Sequence, residues 1–212
     1  MKIALINENS QAAKNEIIYE LLKNAAEPKG HTVYNYGMYG ADDPNSINYV
    51  MCGVLAGILI NSKAADYVIT GCGSGVGAMI AANAFPNVQC GHVSHVEDAV
   101  LFSQVNDGNV VALPLGKDFG FAAELRLQYI FEKLFEKESG GGYPPARKEA
   151  QHQSKQMLDA IKQVSHKDML TILKEMDQTV LKTAISGAHF SELFFANCED
   201  EEIANYLKTI LN

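Results

Sequence analysis

Residues 68 to 83 constrain the fold more than any other stretch: Val68-Ile69-Thr70-Gly71-Cys72-Gly73-Ser74-Gly75-Val76-Gly77-Ala78 runs straight into Met79-Ile80-Ala81-Ala82-Asn83. An apolar run, a glycine-rich turn and a helix-forming run in that order read as strand, loop and helix. Glycines at 71, 73, 75 and 77 free the loop backbone to take positive φ and to aim several N–H groups at one spot. That spot lies at the positive end of the following helix, a ready anion site. Cys72 and Ser74 are the two side chains with chemistry in the loop, and such a helix end favours a thiolate.

The chain around this loop alternates between two periodicities. Lys2 to Ile6 is an apolar strand, and Ser10 is placed to cap a helix carrying Ile17, Ile18, Leu21, Leu22 and Ala25. Val33 to Met38 reads as a second strand. Asp43-Pro44 then supplies a cap and first-turn proline for a helix whose Ile47, Val50, Met51, Val54, Leu55, Ile58 and Leu59 fall on one face. Asp66 to Thr70 is the third strand, Val88 to Val93 the fourth and Asn109 to Leu113 the fifth, with helices over Glu97 to Gln104 and from Asp118 to Phe135. Apolar strands alternating with amphipathic helices imply an α/β fold: a doubly wound, five-stranded parallel sheet of Rossmann-like α/β/α architecture. With strand order 2-1-3-4-5 the topological switch falls between strands one and three, and Glu8 and Asn9 face the glycine loop.

After Ser139-Gly140-Gly141-Gly142-Tyr143-Pro144-Pro145 only helical patterns remain. Gln153 to Val164 is amphipathic through Met157, Leu158 and Ile161. Met169, Ile172, Leu173, Met176 and Val180 mark a second helix, and Ile203, Tyr206, Leu207, Ile210 and Leu211 the last. The expected organisation is an α/β domain over 1–143 and an all-helical C-terminal extension over 144–212, packed on the sheet domain or on a second subunit.

Composition narrows the function. A formal net charge of -8 without any Lys/Arg cluster argues against nucleic acid as partner. The longest apolar stretch, Val50 to Ile60, is far short of the ~20 residues of a membrane span. Cys52, Cys72, Cys90 and Cys198 are scattered without CxxC spacing, so no disulfide framework or zinc site is indicated, and a cytoplasmic location is expected. His92 and His95, three apart at a strand end, point to opposite faces, so no metal is expected there.

Spacing tests the loop against familiar chemistries. A Walker motif is absent, and GxSxG fails because Cys72 stands where its first glycine belongs. A phosphatase-like cysteine loop needs a nearby arginine, and the next one is Arg126. Gly73, Gly75 and Ala78 spell a short dinucleotide GxGxxA, with Glu97 or Asp98 as the only ribose-binding acid. The remaining reading is acid/base chemistry on a carbon acid, with Cys72 as base and loop amides on the oxyanion. From chemistry alone, Cys72 as a small residue filling a tight strand end stands beside it.

Cys72-Gly73-Ser74-Gly75-Val76-Gly77 followed by Ile80-Ala81-Ala82-Asn83, and then Asn106-Asp107-Gly108-Asn109-Val110, resembles the family of ribose-5-phosphate isomerase type B and galactose-6-phosphate isomerase. The likeness covers residues 1 to about 150. It implies a homodimer or homotetramer with active sites between subunits, no cofactor, and a small sugar phosphate as substrate. It also implies that Cys72 shuttles a proton between C1 and C2 through a cis-enediolate, held by Ser74 and the backbone of Gly73, Gly75, Val76 and Gly77. Asn106 then binds a sugar hydroxyl, Glu8 and Asn9 line the site, and Arg147, with Lys117 as a second candidate cation, holds the phosphate.

Departures from the family pattern bear on substrate. The ring-opening histidine is Val105, the Asp-His pair after strand one is Glu8-Asn9, the first phosphate arginine falls near Tyr143, and the tyrosine of the second loop is Asp43. A substrate that is already acyclic, such as a tetrose or tetrulose phosphate, needs no ring-opening group; alternatively His92 or His95 takes that role. The reading is an aldose–ketose isomerase, set against a non-catalytic sugar-phosphate-binding protein and a nucleotide-binding oxidoreductase.

Overall fold

The computed structural model describes residues 1–117 and 119–212. Five strands, β1 (Lys2–Ile6), β2 (Thr32–Gly37), β3 (Tyr67–Cys72), β4 (Cys90–His92) and β5 (Val110–Pro114), form one all-parallel sheet. Helices α1 (Asn15–Ala26), α2 (Tyr49–Asn61), α3 (Val76–Ala82), α4 (Val96–Leu101) and α5 (Ala123–Leu134) cover it, and α6 (Lys148–Ser165), α7 (Met169–Glu175), α8 (Gln178–Ile185), α9 (Ala188–Asn197) and α10 (Glu201–Leu211) follow. The α/β/α class with a helical extension is as expected.

The strand order is not. It is β2-β1-β3-β5-β4, so the last two strands exchange places relative to 2-1-3-4-5. Burial gives the reason: β5 is buried at every position and belongs in the interior, whereas the three residues of β4 are all half-exposed and suit an edge. The switch between β1 and β3 survives, because β2 lies on one side of that pair and β5 on the other.

Alternation along the strands builds two cores. Ile3, Leu5, Ile69, Val111 and Leu113 pack with α1 and α5 through Ile18, Leu22, Leu127, Ile130 and Phe131. Ala4, Ile6 and Val68 pack with α2 and with Leu181, Ala184, Ile185, Phe190 and Phe194 of α8 and α9. The extension therefore covers the outer side of α2 and the β2 edge. That is why α2 is buried continuously from Cys52 to Leu59 rather than along one face.

Local polar chemistry moves several helix starts. Asn48, not Asp43, caps α2, accepting from the N–H groups of Val50 and Met51. Asp43 instead accepts from the N–H groups of Tyr39 and Asn45 in a turn. Ser10 bonds back to Glu8 rather than capping α1, which starts at Asn15 after a short 3-10 turn. The helix expected to run from Met169 to Val180 is two, because Asp177 caps α8 through Thr179 and Val180. The segment read as one helix to Gln104 is α4 followed by a π-helical turn, Phe102–Asn106. Helix α9 was not foreseen. Asp118, read as the cap of the helix leading to Phe135, lies outside the described residues.

Candidate active site

The carboxyl ends of β1, β3 and β5 meet around the glycine loop. Of its four glycines only Gly75 takes positive φ (+78°), so the loop turns at one point rather than at four. There a side chain is excluded twice over, by the backbone and by the His92 ring, 2.6 Å from where a Cβ would lie. Gly71 serves packing: a Cβ would sit 2.5 Å from the Leu113 carbonyl oxygen. The loop is clamped from β5's side, where Leu115 N–H donates to Cys72 O (2.9 Å), and Gly116 and Lys117 N–H both donate to Gly73 O (2.9 and 2.7 Å).

Cys72 is 7% exposed, and its Sγ accepts the Gly75 N–H at 3.2 Å. The loop backbone thus holds the sulfur in one orientation. Ser74 and Val76 are exposed beside it, and Gly73 and Gly77 are half-exposed. Glu8 is 4% exposed, with its carboxylate accepting from Ser10 N–H and Ser10 Oγ–H. Asn9 reaches the loop before α2: its N–H donates to Ile47 O (2.8 Å) and its Nδ2 to Ser46 Oγ (3.2 Å). Cys52, wholly buried on α2, has its thiol pushed up by burial, with Glu8 and Cys72 close enough to add to the effect.

Asn106 and Arg147 are elsewhere. Asn106 closes the π-helical turn before β5, at the amino edge of the sheet, and lines a cavity of about 430 Å³ with Asn83, Gln89, Cys90 and the α6 residues Gln151 and Lys155. Arg147 is exposed at the start of α6, five residues after Gly142, whose N–H bonds to Gln104 O. Because Cys72 is level with Pro114 and Asn106 precedes Val110, the length of β5, about 13 Å, separates them within one chain.

Two further groups lie at the site: Lys14, which has no local sequence signal, and His92, which the sequence offered for ring opening. Lys14 Nζ bonds the Leu115 carbonyl and lies 4.5 Å over the Phe119 ring; burial lowers its pKa while Glu8 opposes the shift. His92 Nε2 lies 2.9 Å from Ser74 O. His95 instead starts α4, and Asp98 Oδ2 accepts its N–H. Among the described residues no group of three His, Cys, Asp or Glu side chains is placed to hold a metal ion, and no helix is long and apolar enough to cross a membrane.

A thiol with a backbone donor, a buried carboxylate one strand away and a glycine loop at the switch point are groups of the kind that can carry proton transfer on a small polar molecule. The comparisons agree with that class. A ribose/galactose isomerase family model matches residues 3–139, and a second, described as ribose-5-phosphate isomerase, matches 164–210. A 4-deoxy-L-threo-5-hexosulose-uronate ketol-isomerase, solved with a tartrate, is 56% identical over 100% of this chain and 99% of its own, with TM-score 0.97. A ribose-5-phosphate isomerase from Vibrio parahaemolyticus is 44% identical over the same shares, with TM-score 0.96. A type B ribose 5-phosphate isomerase from Trypanosoma cruzi, 20% identical, shares the fold over 78% of this chain and 100% of its own at TM-score 0.66. Comparison with curated protein sequences finds no match. The chain belongs to the ribose/galactose isomerase family. It is an aldose–ketose isomerase of the class that acts on small sugars and their phosphates.

Proposed function

We propose that Cys72 is the base, and that the substrate is an open-chain hexuronate of the kind the 56%-identical relative is named for. The observation that carries the first part is the Gly75 N–H on Cys72 Sγ. The thiolate takes the proton from C2, and the C1 carbonyl becomes an enediolate oxygen held by the Ser74 hydroxyl and the amides of Gly73, Val76 and Gly77. The same thiol returns the proton to C1, while the O2 hydroxyl proton passes to O1, leaving a C2 ketone. Glu8 and Asn9 orient the remaining hydroxyls.

Chemistry supports the substrate. A hexosulose that is 4-deoxy and 5-keto has no hydroxyl on C4 or C5 to close a furanose or pyranose ring on C1. No ring-opening group is needed, which accords with Val105 where the family places a histidine. The distal anion is met by Arg147 and Lys117.

The active unit is a homodimer, in which Asn106 and Arg147 of one chain complete the Cys72 site of the other. Its support is their placement at the opposite sheet edge from Cys72, and two exposed apolar faces: Met157, Ile161 and Val164 on α6, and Val76 and Ile80 on α3 beside the loop.

The test is turnover and solvent-deuterium incorporation, followed by NMR, with the deoxyhexosulose uronate, ribose 5-phosphate and a tetrose phosphate. The uronate should give the highest kcat/KM, and Cys72→Ser should lower kcat by about 10³-fold or more. Equal or better turnover of ribose 5-phosphate overturns the substrate reading; an active Cys72→Ser overturns the base.

A further inference from the structure

We infer that His92 is a positioning residue that sets the reactivity of Cys72 through the peptide bond between Ser74 and Gly75. Three contacts lie in series. Ser94 Oγ is 3.4 Å from His92 Nδ1, His92 Nε2 is 2.9 Å from Ser74 O, and Gly75 N–H is 3.2 Å from Cys72 Sγ. The carbonyl of Ser74 can only accept, so Nε2 carries the proton, and Nδ1 is left as the acceptor for the Ser94 hydroxyl. Ser94 is itself fixed, because Asp98 Oδ2 accepts its N–H (3.0 Å) and that of His95 (2.9 Å).

The step from histidine to sulfur is geometric. The Ser74 carbonyl and the Gly75 N–H belong to one trans peptide, so they point in opposite directions from a rigid plane. Holding the carbonyl on the β4 side therefore aims the N–H at Cys72. Without that hold the peptide is free to rotate, because Gly75, at φ +78°, has no side chain to limit it. The His92 ring also fills the space beside Gly75, 2.6–2.7 Å from an ideal Cβ position, so ring and loop fit only with glycine there. The other ionisable groups around the thiol are Cys52 on α2, Cys90 at the start of β4, Glu8 after β1 and Lys117 after β5. None of them is bonded to the Ser74–Gly75 peptide.

The inference rests on the reading of Cys72 as base only for its effect on turnover; the effect on the thiol is measured without it. Iodoacetamide alkylation of Cys72 is followed against pH, with the site resolved by peptide mass spectrometry. At pH 7, His92→Ala should slow alkylation about tenfold, the loss expected for one hydrogen bond to a charged sulfur, and the gap should close by pH 10. His92→Phe, which keeps the ring's bulk without the donor, should behave like His92→Ala. His92→Gln, which restores an N–H donor, should recover most of the rate. A pH profile unchanged in His92→Ala, a slowing equal at every pH, or a wild-type profile in His92→Phe overturns the inference. In the isomerase assay kcat should fall in parallel with little change in KM. If Cys72→Ser stays active while the alkylation profile shifts as stated, the base reading fails and the positioning of the thiol by His92 stands.

Discussion

The placement of the candidate residues makes a quantitative prediction about mixed dimers. Cys72 sits at the carboxyl edge of the sheet and Asn106 beyond its amino edge, about 13 Å away along β5, with Arg147 on the Asn106 side through the Gly142–Gln104 hydrogen bond. No side chain spans that gap, so a site needing both sets must draw them from two chains. Take Cys72→Ala and Arg147→Ala, each inactive as a homodimer, and let them exchange at equal concentration. In a heterodimer one site receives both lesions and the other neither. Random pairing makes half of the dimers heterodimers with one working site in two, so about a quarter of wild-type activity should return. The assay is isomerase turnover after dissociation and reassociation, with the heterodimer isolated by two affinity tags. If each site were built within one chain, every chain would carry a lesion and activity would stay at background. Absence of recovery in an isolated heterodimer would refute the composite site.

Two further outcomes follow from burial. Burial pushes the Cys90 thiol up to about 12 and raises Cys52, Tyr36 and Tyr67 as well. These groups hold their protons in the folded chain after the unfolded chain has lost them, so stability is intact below about pH 9 and falls between pH 9 and 12. Thermal midpoints measured across that range should decline, and a flat profile to pH 11 would contradict the assignment. Phe194 is fully buried, stacked on Phe190 at 5.5 Å, and Phe190 in turn meets Tyr36 at 5.7 Å. Phe194→Ala should cost about 3–5 kcal/mol by urea unfolding, whereas a cost below about 1 kcal/mol would show that the extension does not share the sheet's core.

What was legible in the sequence was local. The strand, loop and helix around Cys72 could be read because glycine spacing and apolar runs encode them within a few residues. The exchange of β4 and β5 could not, since each reads as a short apolar run and only burial against both helix layers tells interior from edge. Asp43-Pro44 carries the signature of a helix start, yet the Asp43 carboxylate is taken by Tyr39 and Asn45, and Asn48 caps instead. Lys14 lies 101 residues from the Leu115 carbonyl it bonds, and His92 lies 18 from Ser74, so neither partnership leaves a local trace. The continuous burial of α2 was hidden for the same reason: the helices of the extension that complete its cover lie more than a hundred residues further on.

Two departures from the family pattern acquire one explanation with the proposed substrate. A cyclic sugar phosphate asks for a ring-opening group near C1 and for cations spread around a tetrahedral anion. An open-chain uronate asks for neither, because nothing on C4 or C5 closes on the aldehyde, and a planar carboxylate is satisfied by the two parallel donors of a single guanidinium. Val105 removes the first provision and Tyr143 one of the two arginines of the second, leaving Arg147 as the one guanidinium, with Lys117 as the other cation. On the proposed reading, either change alone leaves a site half suited to each substrate, and together they suit an open chain that ends in one carboxylate. Val105→His should then add little to uronate turnover, and Arg147→Lys, which keeps the charge and loses the fork, should raise its KM more than it lowers kcat.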